Sequence, residues 1–136
     1  EYAGQWRGVS FYDDSKGTNV DAVRRALETF AAPVILLMGG RDKAGDFRPL
    51  IPLVRQKAKR LVLFGEAREA IGVVLGGLVA TDSRPTLREG VAAAAAGATP
   101  GDVVLLSPGC ASFDEFRDYK ARGKFFQDQV KALAHD

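Results

Sequence analysis

Residues 34–40 read VILLMGG, five apolar side chains in succession closed by two glycines. A strand with one face in water alternates apolar and polar residues. An unbroken apolar run this short, ended by Gly, describes instead a strand buried on both faces. The same form recurs outward from it, at 61–64 (LVLF, ended by Gly65) and at 103–106 (VVLL, ended by Ser107-Pro108). These are expected to be central strands of a parallel sheet. Between them lie stretches with helical spacing. Val20, Val23, Ala26, Leu27 and Phe30 follow Asn19 as a candidate N-cap, and Leu50, Leu53, Val54 and Lys57 follow Asp46 in the same role. Residues 67–75 and 86–96 give two more helices, the second ending in an alanine run read as a close-packed helix face. Phe125, Phe126, Val130 and Leu133 stripe the last helix. Residues 2–6 and 9–13, joined by Arg7-Gly8, read as a hairpin. Alternating strands and helices imply βαβ crossovers. The expected fold is therefore α/β and Rossmann-like: a mainly parallel six-stranded sheet, one antiparallel edge strand, and helices on both faces.

Composition bounds the rest. The 136 residues, 46% hydrophobic and 26% charged, suffice for one core, so residues 1–136 are expected to form a single domain. The 19 basic and 17 acidic residues are interspersed and leave a net charge of +2, which gives no footprint for nucleic acid or a membrane surface. One cysteine, Cys110, precludes an intrachain disulfide, and no apolar run reaches the roughly 18 residues of a membrane span, which fits a reducing cytoplasm. The first residue is Glu1, with no initiator methionine, and the chain is expected to be a piece of a longer protein.

In open α/β sheets ligands bind outside the carboxyl ends of the strands. Three polar loops fall at such ends: DDSKGTN at 13–19, GGRDKAGD at 39–46 and SPGCAS at 107–112. Lys16 and Lys43 are point charges for a carboxylate or phosphate, Thr18 and Ser112 can donate directional hydrogen bonds, and the glycines allow backbone N–H groups to approach an anion. Singly, each loop also reads as caps and turns, with Asp13, Asp14, Asn19 and Asp46 serving the backbone and the lysines solvated. Three of them on one sheet edge favour a charged small ligand. The segments after Phe64 and Ala80, GEAR and TDSR, are read as loops without a role.

Several chemistries lack their residues. No G-x-x-x-x-G-K-[ST] or G-x-G-x-x-G motif occurs, so the chain alone has no Walker-type seat for ATP phosphates and no dinucleotide fingerprint. The one histidine, His135, stands next to the last residue, which leaves neither a triad nor a histidine-rich metal site. Cys110 reads as a nucleophile without a base or, more simply, as a small buried residue.

The segments DDSKGTN, LLMGGRDKAGDF (36–47) and VVLLSPGCASFDEFRDYKARGKFF (103–126), in this order over the chain, resemble the C-terminal domain of the D-glutamate-adding Mur ligases. The sister ligases carry a histidine-containing D-x-x-H-type turn at the first position, which is absent here. Gly17 and Gly109 stand where this group usually has alanine, small-for-small departures that leave the functional side chains in place.

The resemblance implies the third domain of an ATP-dependent ligase of peptidoglycan synthesis. In such enzymes an N-terminal domain holds the uridine nucleotide and a central domain carries the phosphate loop and the Mg2+ ligands. ATP activates the carboxylate of UDP-N-acetylmuramoyl-L-alanine, and the amine of D-glutamate attacks the acyl phosphate to give an amide. The resemblance further implies that Thr18, Lys43, Ser112 and Tyr119, with the backbone around Phe113, hold D-glutamate. Asp14 would accept from the ribose of ATP, and Lys16 would act near the transferring phosphate as the catalytic cation. Glu1 would be the last residue of an H-R-x-E stretch that opens such domains, and the nucleotide-contacting arginine of that stretch would precede it. A monomer is expected, and Phe113 and Phe116 are expected to be core. Two other readings stay open: a stand-alone Rossmann-like module that binds an acidic metabolite or nucleotide, and an assembly domain whose loops bind a protein.

Overall fold

The computed structural model describes residues 1–31, 33–41 and 45–134. Six strands form one sheet in the order β1-β2-β6-β3-β4-β5: β1 (Tyr2–Trp6), β2 (Val9–Asp13), β3 (Val34–Gly39), β4 (Ala58–Phe64), β5 (Ala80–Arg84) and β6 (Val103–Gly109). β1 pairs antiparallel with β2, and every other neighbouring pair is parallel. Among the described residues five α-helices accompany the sheet: α1 (Val20–Glu28), α2 (Ile51–Lys57), α3 (Arg68–Leu75), α4 (Leu87–Ala96) and α5 (Tyr119–Ala134), with a 3-10 turn at Arg48–Leu50 before α2.

The unbroken apolar runs are central strands because each must supply two cores at once. Along β3, Val34, Leu36 and Met38 face the helices α1, α2 and α3, whereas Ile35 and Leu37 face α4 and α5. β4 splits in the same way, with Leu61 and Leu63 on the first side and Val62 and Phe64 on the second. On β6 the split is Val103 and Leu105 against Val104 and Leu106. Alternation of side chains across a strand makes this division obligatory. The alanine run behaves as expected, with Ala94 and Ala95 buried and Ala94 part of the second core. Cys110 is buried in the first.

Caps fix the helix starts. Asn19 Oδ1 accepts from Ala22 N–H at 2.9 Å at the head of α1, and Thr86 Oγ1 accepts from Glu89 N–H at 3.3 Å at the head of α4. Asp118 Oδ1 accepts from Ala121 N–H at 2.8 Å and so sets where α5 begins. Asp46 serves the 3-10 turn rather than α2, accepting from Arg48 N–H at 3.1 Å. The entry to β6 is pinned by the buried Asp102 carboxylate, which accepts from Lys59 Nζ at 2.7 Å and from Thr99 N–H at 2.8 Å. Burial pushes this carboxyl up, but the Lys59 and Thr99 hydrogen bonds outweigh it and hold it below the usual range.

Three expectations need correction. The segment TDSR is not a loop but most of β5, which pairs only with β4 and keeps an exposed outer edge, so polar side chains suit it. β6 continues through Ser107-Pro108-Gly109. Its register against β3 slips between the pairs Leu37–Leu106 and Gly39–Gly109, an irregularity that places Pro108 where no ladder donor is needed. Phe113 is 60% exposed rather than core, while Phe116 is half-buried against the second core.

Candidate functional site

The strand order puts β2, β6 and β3 side by side, so the loops after them leave the sheet at one edge. Hydrogen bonds join all three. Gly109 N–H donates to the Gly17 carbonyl at 2.9 Å and ties the third loop to the first. Arg41 N–H donates to the Ala111 carbonyl at 2.8 Å and ties the second to the third.

Within the first turn the polar residues divide between structure and availability. Asp13 is occupied: one oxygen accepts from Ser15 N–H at 2.9 Å and from the Ser15 hydroxyl, the other from Gln127 Nε2 at 2.8 Å on α5. Asn19 is the α1 cap. Asp14 accepts at one oxygen from the Ser107 hydroxyl at 3.1 Å, and its carbonyl accepts from Gly17 N–H at 2.8 Å, which closes the turn. Gly17 leaves room for that carboxylate, since a Cβ there would lie 2.6 Å from Asp14 Oδ2. The Lys16 side chain is exposed, and its ammonium has no hydrogen-bond or ion-pair partner among the described residues.

Two cavities meet at Lys16. The larger, about 740 Å3, lies between β2 and α1 and is lined by Tyr12, Asp14, Lys16, Asn19 and Phe30. The smaller, about 390 Å3, runs between the first turn and α5, with Asp13, Lys16, Tyr119, Lys120, Lys124 and Asp128 among its lining residues. Asp14 and Lys16 thus share one cavity and Lys16 and Tyr119 the other. Thr18 and Ser112 line neither. Thr18 is half-buried, its N–H bonded to the Lys16 carbonyl at 2.9 Å. Ser112 is buried, its carbonyl accepting from Glu115 and Phe116 N–H, and its hydroxyl enters no hydrogen bond among the described residues. Lys43 and His135 lie outside the described residues.

Residues 114 and 115 do work that the sequence reading did not assign. Asp114 Oδ2 accepts from Glu66 N–H at 3.0 Å, just before α3, and Glu115 Oε1 accepts from Leu87 N–H at 3.0 Å in the first turn of α4. Desolvation pushes the Glu115 carboxyl up, assisted by the Asp114 charge and opposed by the Leu87 hydrogen bond. The third loop is therefore held from below by two carboxylates. Arg122 was also missed: it is fully buried, with its Nη2–H donated to the Ser15 carbonyl at 2.9 Å. Its signal was the α5 stripe itself, because position 122 precedes Phe126 and Val130 at four-residue spacing and so falls on the core face.

Among the described residues, no group of three or more His, Cys, Asp or Glu is placed to hold a metal ion, and no helix is long and apolar enough to cross a membrane.

Comparison with known proteins agrees with this geometry. Residues 1–110 match the family described as Mur ligase, glutamate ligase domain. The chain is 62% identical over 98% of its length to a UDP-N-acetylmuramoylalanine--D-glutamate ligase of Syntrophus aciditrophicus, and 53% identical over 98% to one of Desulfatibacillum aliphaticivorans. It spans about 30% of the length of each. Among solved structures, Escherichia coli FolC in complex with ADP matches 91% of the chain with a TM-score of 0.59 at 18% identity, the chain covering 29% of it. A domain assigned to a UDP-N-acetylmuramate:L-alanyl-gamma-D-glutamyl-meso-diaminopimelate ligase of Haemophilus ducreyi matches with a TM-score of 0.62 at 17% identity, covering 98% of both chains. At such identities these structures support the fold alone. The family match and the two close relatives go further, and the chain belongs to the Mur ligase family, as its glutamate ligase domain.

Proposed function

We propose that this chain is the D-glutamate-binding domain of an ATP-dependent, amide-forming ligase that joins D-glutamate to UDP-N-acetylmuramoyl-L-alanine in peptidoglycan synthesis, a cytoplasmic monomer in its full-length form. The observation that carries the reading is the meeting of three polar loops at one sheet edge, with the unpartnered Lys16 on the wall shared by two cavities. The larger cavity combines the Tyr12 and Phe30 rings with the Asp14 carboxylate. Its size and chemistry fit a nucleoside: apolar surface for a base and an acceptor for ribose hydroxyls. The residues described offer no seat for Mg2+, which is assigned to the rest of the longer protein.

The chain's own contribution is positioning and charge. Thr18, Lys43, Ser112 and Tyr119, with the backbone at Phe113, grip the carboxylates of D-glutamate so that its deprotonated amine lies on the activated carboxyl carbon. Asp14 holds the ribose. Lys16 faces the negative charge that grows on the oxygens around that carbon as the amide forms and phosphate leaves. Because each part of the site is incomplete here, the domain must close on its neighbours for turnover.

The test is direct. The full-length ligase should form amide only when ATP, D-glutamate and the UDP-linked acceptor are all present, and the 136-residue chain should melt cooperatively yet give no turnover. Turnover by the chain alone, or a full-length enzyme indifferent to D-glutamate, would contradict the proposal.

A further inference from the structure

Arg122 has 0% exposure, although a guanidinium is among the groups least suited to an interior. Among the described residues, only Nη2 finds a partner, the Ser15 carbonyl, while Nε and Nη1 are buried without one. Among the described residues no carboxylate lies within ion-pair distance of it. Burial pulls its pKa down to about 10, against the opposing influence of Cys110, Asp114, Asp13 and Glu115, and leaves it charged at neutral pH.

Its surroundings explain why a cation with unused donors is kept there. The Ser15 carbonyl belongs to the first loop. Beside Nη1 stands Gly40 of the second loop, where a Cβ would lie 3.0 Å from Nη1, 3.1 Å from Cys110 Cβ and 2.2 Å from the Ala111 carbonyl oxygen, the latter two in the third loop. The guanidinium thus sits where the three loops meet. The next residue, Gly123, brings α5 against the first turn, since a Cβ there would lie 2.8 Å from Asp13 Oδ2 and 3.1 Å from Ser15 Oγ. One helical turn further, Gln127 donates to Asp13. One turn earlier, the same helix presents Tyr119 to the cavity that Lys16 shares.

We propose that Arg122 is a positioning residue: its buried guanidinium sets the spacing of the three ligand loops, and through α5 the separation of Lys16 from Tyr119, without itself touching substrate. The inference rests on the reading that these loops hold D-glutamate. A rigid planar fork fills the space from the Ser15 carbonyl to the position beside Gly40, a shape that lysine, a single point on a flexible stem, does not reproduce.

The experiment compares Arg122→Lys and Arg122→Met in the full-length ligase, varying each of the three substrates, and records amide spectra of the 136-residue chain carrying the lysine change. The expected result is a KM for D-glutamate raised about tenfold by Arg122→Lys and further by Arg122→Met, with the KM for the UDP-linked acceptor within about twofold of wild type. Amides at 15–18, 40–41 and 110–112 should shift together. A role in stability alone would lower the melting temperature and the active fraction while leaving every KM unchanged, and that outcome overturns the proposal. If Arg122→Met does not fold, the lysine variant alone decides. A wild-type enzyme indifferent to D-glutamate would refute the ligand reading instead. Positioning is then judged by the chain's amides, and a response confined to Ser15 and its neighbours, with the other two loops unmoved, overturns it.

Discussion

Replacing Lys16 with alanine in the full-length ligase is expected to lower kcat by about a hundred- to a thousandfold while changing the KM for D-glutamate little. The expectation follows from where the side chain stands. It is exposed, has no partner among the described residues, and lines both the cavity that contains Asp14 and the cavity that contains Tyr119. A charge already neutralised by a neighbouring carboxylate would be worth little to a developing anion, whereas an uncommitted ammonium between two ligand sites interacts most strongly when charge accumulates between them. Lys43 provides the contrast. Assigned to a carboxylate of the incoming amino acid, it makes an interaction present before and during the reaction, so Lys43→Ala should mainly raise the KM for D-glutamate, by on the order of ten- to a hundredfold. Steady-state kinetics with each substrate varied in turn separates the two. A shared profile for both variants, or a Lys43→Ala effect confined to the KM for ATP, would show that the site is not divided between the loops in this way.

A large effect on stability is expected at Gly40. Its φ is +133°, and a Cβ built there falls 2.2 Å from the Ala111 carbonyl oxygen, the acceptor of the Arg41 N–H that joins the second and third loops. Because the obstacle is backbone, it cannot rotate away, and the bridge must open. Gly40→Ala should therefore cost about 2–4 kcal/mol, a loss on the order of 10 °C in melting temperature for a domain of this size. Gly101 supplies the control, with a φ of +95° and nothing within 4 Å of a built Cβ. Gly101→Ala carries only the backbone strain, about 1 kcal/mol. Thermal melts of the two variants distinguish the clash from the strain, and equal losses would show that the loop contact contributes nothing.

The reach of the sequence is clearest in the strands. VILLMGG, LVLF and VVLL are legible because a strand between two helical layers has no polar face to show. TDSR was not legible for the converse reason: an edge strand half in water has no such run, and its polar residues imitate a loop. Ser107-Pro108 looked like a terminator because proline ends most ladders, yet the register slip at that point accommodates it. At the candidate site, the loop positions anticipated that Asp14 and Lys16 share one cavity, and the resemblance added Tyr119, which lines the other with Lys16. They did not reveal that Asp13 is committed to Ser15 and Gln127, because residue 127 is far away in sequence and near only after α5 has packed. Arg122 was overlooked because charge argues for the surface. The four-residue spacing to Phe126 and Val130 argued for the interior, and there packing prevailed.

The central claim is that the loops after β2, β3 and β6 together hold D-glutamate, and amide chemical-shift mapping of the 136-residue chain titrated with D-glutamate tests it most directly, with L-glutamate as the control. The expected result is a saturable response at residues 14–18, 39–41 and 109–113, weaker for the L enantiomer. A response centred on the β4–β5 end of the sheet, near residues 65–67 and 84–86, or one identical for the two enantiomers, would contradict the account.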